Sequence, residues 1–173
     1  MNHSRNSDQL ILPFAEREYV SVPRAAHILD VGESTVHRLA EMQDRGGRAL
    51  LHLISYRRNA HKRILYSSIV HFCDGLREKF GIQDRRPKLD HPMFRHRDED
   101  LLPFRLSDTI NMNDALQALG YENYQSIIFL IEEGRFDAYQ LLKGSSWRIS
   151  RSSLITFLGE TRDRSLVAQS IHR

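Results

Sequence analysis

Apolar residues recur at helical spacing from residue 21 onward. Val22, Ala25, Ala26 and Leu29 share one face, Ser21 suits the N-cap, and Pro23 is tolerated in the first turn. Val31-Gly32 interrupts the pattern, and Val36, Leu39 and Ala40 resume it within "ESTVHRLAEM" (33–42). Two helices separated by so short a turn form the helix-turn-helix signature. Gly46-Gly47 ends the second helix. "ALLHLISY" (49–56) then has strand character, "RRNAHKR" (57–63) reads as a polar, basic turn, and "RILY" (63–66) as the returning strand. Ser67 or Ser68 can cap a closing helix that carries Ile69, Phe72, Cys73, Leu76 and Phe80 on one side.

The same order then comes round again. At an offset of ninety, Leu12-Pro13-Phe14 falls on Leu102-Pro103-Phe104, Val20 on Ile110, Val22 on Met112, Ala25 on Ala115 and Leu29 on Leu119. At an offset of eighty-five, "RILYSSIVHF" (63–72) meets "RISRSSLITF" (148–157). The offset shrinks because the first copy carries extra residues after its second helix. In the second copy, "INMNDALQALGY" gives helix one, with Asn111 or Asn113 as cap, and "YQSIIFLIEEG" gives helix two, stopped by Gly134. "FDAYQLL" and "WRIS" flank the turn Lys143-Gly144-Ser145-Ser146, and "SSLITFL" closes the copy. Two copies of one unit predict a first domain over 10–82, a charged linker over 83–100 broken by Pro87 and Pro92, a second domain over 101–159 and a tail over 160–173. The tail reads either as a short helix through Leu166, Val167 and Ile171 or as unstructured chain.

"SVPRAAHILDVGESTVHRL" followed by "KRILYSSIVHF", and "MNDALQALGY" followed by "WRISRSSLITF", resemble the excisionase-like branch of the MerR superfamily of winged helix-turn-helix domains. The matching segments take in roughly two-thirds of the chain. The resemblance implies a mainly α fold with small β-hairpin wings, two tandem winged helix-turn-helix domains, and duplex DNA as partner. Helix two would enter the major groove and the wing would lie along the backbone or minor groove. The first copy departs from the family in its longer stretch between helix two and the wing, and the second in its helix two. No long coiled coil follows, so the effector-sensing regulator architecture is not implied.

Composition leaves this picture standing. The chain has 173 residues, 40% hydrophobic and 27% charged, which suits one ordinary domain or two small ones. No apolar run reaches the ~20 residues of a membrane span, and "MNHSRNSDQLILPF" lacks the apolar segment of a secretory signal. Cys73 is the single cysteine, so no intrachain disulfide or four-cysteine zinc site can form. A cytoplasmic protein is expected.

Charge separates the two copies. Net charge is only +3, but residues 20–82 hold ten basic against six acidic side chains, while residues 106–158 hold four against six. Phosphate neutralisation supplies most sequence-independent affinity for DNA, so the first copy is the expected DNA binder. In its helix two, Ser34, His37 and Arg38 point away from Val36 and Leu39, and arginine reads guanine edges bidentately. Arg57, Arg58, Lys62 and Arg63 on the wing and Arg24 on helix one suit phosphates. The bland alternative for the wing is a solvated basic hairpin. Lys143, Arg148 and Arg151 offer a weaker second DNA contact, and Arg85, Arg86 and Lys88 in the linker a marginal one.

Helix two of the second copy reads differently. Ile127, Ile128, Phe129, Leu130 and Ile131 are consecutive, and Glu132 and Glu133 follow, where they would repel phosphate. A helix apolar all round needs cover. Either it is buried deeper, or it meets a partner. Ile127 and Leu130 align with the inward Val36 and Leu39, so Ile128 and Ile131 are the residues expected at a homodimer seam.

Enzyme chemistry finds no foothold. His91 and His96 flank Pro92 with no third ligand marked nearby, so no metal or other cofactor is expected. Cys73 sits on an apolar face and reads as core. No phosphate-binding glycine loop or hydrolase motif occurs. The expected function is transcriptional regulation by sequence-specific duplex-DNA binding. The alternatives are an excisionase-like architectural factor of a mobile element and a protein–protein adaptor that binds no DNA.

Overall fold

The computed structural model describes residues 19–55, 61–86 and 97–171, with side chains as far as 162. Its contacts divide into two compact units, Met1–Phe72 and Cys73–Arg173. The fold is mixed α/β: among the described residues there are six α-helices and two small three-stranded antiparallel sheets.

The first succession runs β1 (Tyr19–Ser21), α1 (Val22–Leu29), α2 (Glu33–Glu41), β2 (Leu53–Ile54), β3 (Arg63–Leu65) and α3 (Tyr66–Phe80). The Ser21 hydroxyl accepts the Arg24 amide at 3.3 Å, as an N-cap should. Asp30 ends α1 in the left-handed region, at φ 55°. The Asp30 and Val31 amides turn back to the carbonyls of His27 and Ala26. The second succession runs β4 (Thr109–Ile110), α4 (Met112–Leu119), α5 (Tyr124–Glu132), β5 (Ala138–Tyr139), β6 (Arg148–Ser150) and α6 (Arg151–Ile171). Asn111 caps α4, and Gly120 replaces Asp30 at φ 69°.

The likeness reaches individual hydrogen bonds. The Leu65 amide donates to the His52 carbonyl at 2.9 Å, and the Ser150 amide to Asp137 at 2.8 Å. The His52 amide donates to Ser68 Oγ at 3.0 Å, and the Asp137 amide to Ser153 Oγ at 2.8 Å. Ser68 is therefore no helix cap: α3 starts at Tyr66, and the hydroxyl ties the helix to the strand beside it. The extra residues of the first succession lie between α2 and β2, where Gln43 bridges Ala49.

A two-stranded wing was expected and a three-stranded sheet is found. The central strand, β3 or β6, pairs on one side with the hairpin strand and on the other with the strand preceding helix one. Ile64 lies opposite both Val20 and Leu53, and Ile149 opposite both Ile110 and Ala138. Both isoleucines are fully buried. Closing helix α6 runs on to Ile171, through most of the expected tail.

Candidate nucleic-acid interface

The first succession presents α2 on a fixed base. Val36 and Leu39 are fully buried, and α2 packs against α1. That anchoring turns Ser34 and Arg38 to solvent and leaves His37 half-buried. Arg24 is exposed in the first turn of α1, and Lys62 and Arg63 are exposed at the start of β3. Arg57 and Arg58 lie outside the described residues. A cleft of about 230 Å³ brings His37 together with Lys62, lined also by Glu41, Leu51 and His52.

Two basic residues near α2 escaped the sequence reading. The Asp44 carboxylate accepts the Gly46 and Arg48 amides at 2.7 and 2.9 Å, and the Asp44 amide donates to the Arg48 carbonyl at 2.8 Å. This Asx-type turn holds Arg45 and Arg48 exposed just beyond α2. The signal was available: Asp44 followed by Gly46-Gly47 is turn chemistry, and the helix expected to stop there already ends at Glu41.

The second succession differs at each equivalent place. Lys143 and Arg151 are exposed, and Arg151 reaches the Thr109 carbonyl at 3.5 Å. Arg148 is buried, contrary to the expectation of a DNA contact. Its guanidinium donates to the Tyr139 hydroxyl at 3.0 Å and lies 5.7 Å from the ring centre. A phenol across the sheet gives it an internal partner, so it is withdrawn from the surface. Arg86 likewise turns inward, 2.7 Å from Asp74 and from Asp84, while Lys88 lies outside the described residues.

Helix α5 also corrects the expected seam. Ile127 is fully buried, and Leu130 and Ile131 both pack against the core formed by Phe136, Ala138, Ile149, Leu154 and Phe157. Positions 127, 130 and 131 fall on one side of a 3.6-residue helix, so Ile131 belongs to the inner face. Ile128 is half-buried, and Phe129, at 58% exposure, is the outward residue, accompanied by exposed Tyr121 and Tyr124.

Cys73 is fully buried, and burial pushes its thiol up to about 12. It has no thiolate to offer as nucleophile or ligand near neutral pH. Among the described residues no group of three or more His, Cys, Asp or Glu could hold a metal, and no helix is long and apolar enough to cross a membrane. His91 and His96 lie outside the described residues. No family model, no curated protein and no solved structure matches the chain.

Proposed function

We propose that the chain is a sequence-specific duplex-DNA-binding protein acting as a transcriptional regulator, built as two tandem winged helix-turn-helix domains of which the first meets DNA. The observation that carries this reading is the outward side of α2. Ser34 and Arg38 are exposed one turn apart over fully buried Val36 and Leu39. Four residues of helix advance about 6 Å, close to two base-pair steps, so both side chains can reach neighbouring base edges in a major groove. Arg24, Lys62, Arg63, Arg45 and Arg48 are exposed cations for the phosphates on either side.

The second succession lacks this chemistry on its equivalent helix. Gln125, Ile128 and Phe129 stand where Ser34, His37 and Arg38 stand, and Glu132 and Glu133 are exposed at its end. An aromatic, acid-ended face suits a protein contact better than a phosphate backbone. The homodimer expected at this face would rest on Phe129 and Ile128 rather than on Ile131.

Selection of bound sequences from a random duplex pool tests the reading. A defined sequence should emerge, and Arg38→Ala should weaken binding to it by about 1–3 kcal/mol if Arg38 reads a guanine. A folded chain that selects nothing would sink DNA reading and leave the adaptor. Genome-wide mapping of bound sites would then part promoter sites, for a regulator, from attachment sites, for an excisionase-like factor.

A further inference from the structure

Arg77, on the C-terminal half of α3, is buried and donates to the carbonyls of Leu101 and Leu102 at 2.6 Å each and of Asp100 at 3.0 Å. A few residues on, the Phe104 carbonyl accepts the Tyr139 hydroxyl at 2.8 Å, and the two rings pack edge-on at 4.9 Å. The segment 100–104 is thereby fixed at both ends, by an arginine of α3 and a tyrosine of β5. It forms one wall of a cavity of about 310 Å³ that lies wholly within the unit Cys73–Arg173. Ile82, Leu102 and Phe104 give the cavity an apolar side. Ser150 and Ser152, where β6 passes into α6, add hydroxyls. Its volume is at the small end of the range for ligand pockets.

Arg86 lines the same cavity, and its side chain is only 8% exposed. Its Nε and Nη2 donate to the two Asp84 oxygens at 2.7 Å each, and Nη2 also lies 2.7 Å from Asp74 Oδ1. Nη1 is buried and has no hydrogen-bond partner among the described residues. A guanidinium is a rigid fork, so holding one edge against Asp84 fixes where the two N–H groups of Nη1 point. Buried donors without acceptors are costly, and folded chains rarely keep one without a use. Arg77 also lines the cavity, but its Nη nitrogens are committed to backbone carbonyls, so Arg86 is the cation with donors to offer. The lining as a whole sets four arginines against four acidic residues, Glu99, Asp108 and Asp137 among them. That balance suits one negative charge and works against the two of a phosphate monoester. We propose that this cavity binds a small organic monocarboxylate, with its carboxylate on Arg86 Nη1 and its apolar body against Ile82, Leu102 and Phe104. The site uses no residue of α2 or of the wing, and it does not rest on DNA binding.

Titration of the full chain with phenylacetate and with isovalerate, up to about 20 mM and followed by backbone amide shifts in NMR, tests this directly. Shifts should saturate with at least one of them and cluster at Gln83, Arg86, Phe104 and Ser152. The matching amides, phenylacetamide and isovaleramide, keep the body and lose the charge. They should bind about tenfold or more weakly, as the loss of a charge-assisted hydrogen bond requires. Arg86→Lys keeps a cation beside Asp74 and Asp84 but removes the forked donor. It should weaken carboxylate binding by a similar factor with an unchanged circular-dichroism spectrum. Shifts that saturate with neither acid, or that gather away from these residues, would overturn the proposal. So would amides that bind as tightly as the acids, or a folded Arg86→Lys chain that binds unchanged. Phenyl phosphate bound more tightly than phenylacetate would overturn the choice of a single charge. Should Arg86→Lys fail to fold, the comparison of acid with amide on the unmodified chain decides.

Discussion

Arg63 and Arg148 hold the same place in their strands and meet different fates. Opposite Arg63 stand Ile54 and Ser21, whose hydroxyl already accepts the Arg24 amide, whereas opposite Arg148 stands Tyr139, whose hydroxyl accepts the guanidinium. Neither arginine's own surroundings in the sequence distinguish them, because the deciding residue is across a sheet whose register local patterning does not give. The Tyr139 hydroxyl joins Arg148 on one side to Phe104 on the other. Tyr139→Phe should therefore destabilise the chain by about 1–3 kcal/mol, read from the urea midpoint, since it removes the hydroxyl that accepts from a buried guanidinium and donates to a carbonyl. Cys73 was legible as core from its helical phase alone. Its thiol, raised from 9.0 to about 12, carries about a thousandfold less thiolate at neutral pH than an unperturbed one. The sign is that of an acid disfavoured in the fold: protection holds below pH 9 and fades as pH climbs toward 12. Disulfide-exchange reagents at pH 8 should label Cys73 only after denaturant is added. Prompt labelling of the folded chain would contradict the burial.

Helix positions were easier to read than strand positions, and the errors are errors of phase. All six helices among the described residues coincide with apolar repeats visible in the chain, yet in α5 the outward residue is Phe129 rather than the expected Ile131. Five consecutive apolar side chains carry no periodicity of their own, so the phase has to come from the alignment with α2. That alignment gave Ile127 and Leu130 correctly, but it could not tell Ile131 from Phe129 at the margin of the core. The two faces predict opposite outcomes. Phe129→Asp should change stability by no more than about 0.5 kcal/mol, whereas Ile127→Asp should cost several kcal/mol by burying an unpaired charge. Thermal melting of the two variants separates them. At the hairpin, replacing Arg57, Arg58 and Lys62 by Ala should weaken binding to all duplexes alike. It should also flatten the logarithmic salt dependence by up to about 0.9 per lost phosphate contact. A changed sequence preference with an unaltered salt slope would show instead that the wing reads bases.

At the scale of the whole chain, the recurrence of Leu-Pro-Phe and of the arginine–isoleucine–serine cluster was enough to foresee the succession of helices. It was not enough to foresee that each sheet has a third strand. Tyr19–Ser21 and Thr109–Ile110 are too short to show alternation, and they become strands only because β3 and β6 offer an unpaired edge. The long connection after α2 was legible only as extra residues, because its turn is organised by a single carboxylate, Asp44. The third strand also governs how the molecule comes together. Tyr19 pairs with Leu65, and Thr109 with Ser150, so each sheet closes only when residues more than forty positions apart have met. Helices α1 and α2 lie inside the first of these loops. Local contacts can nucleate them within microseconds, but the slow step is the non-local closure that encircles them. Substitutions at Ile64, paired on both sides, should slow refolding in stopped-flow experiments. Truncating Leu39 should chiefly hasten unfolding. A chain still emerging from synthesis, with β3 not yet made, holds α1, which packs against β1 and β3, with its sheet incomplete. The α1 face that packs on the sheet is therefore completed late, in one step with the closing of the sheet.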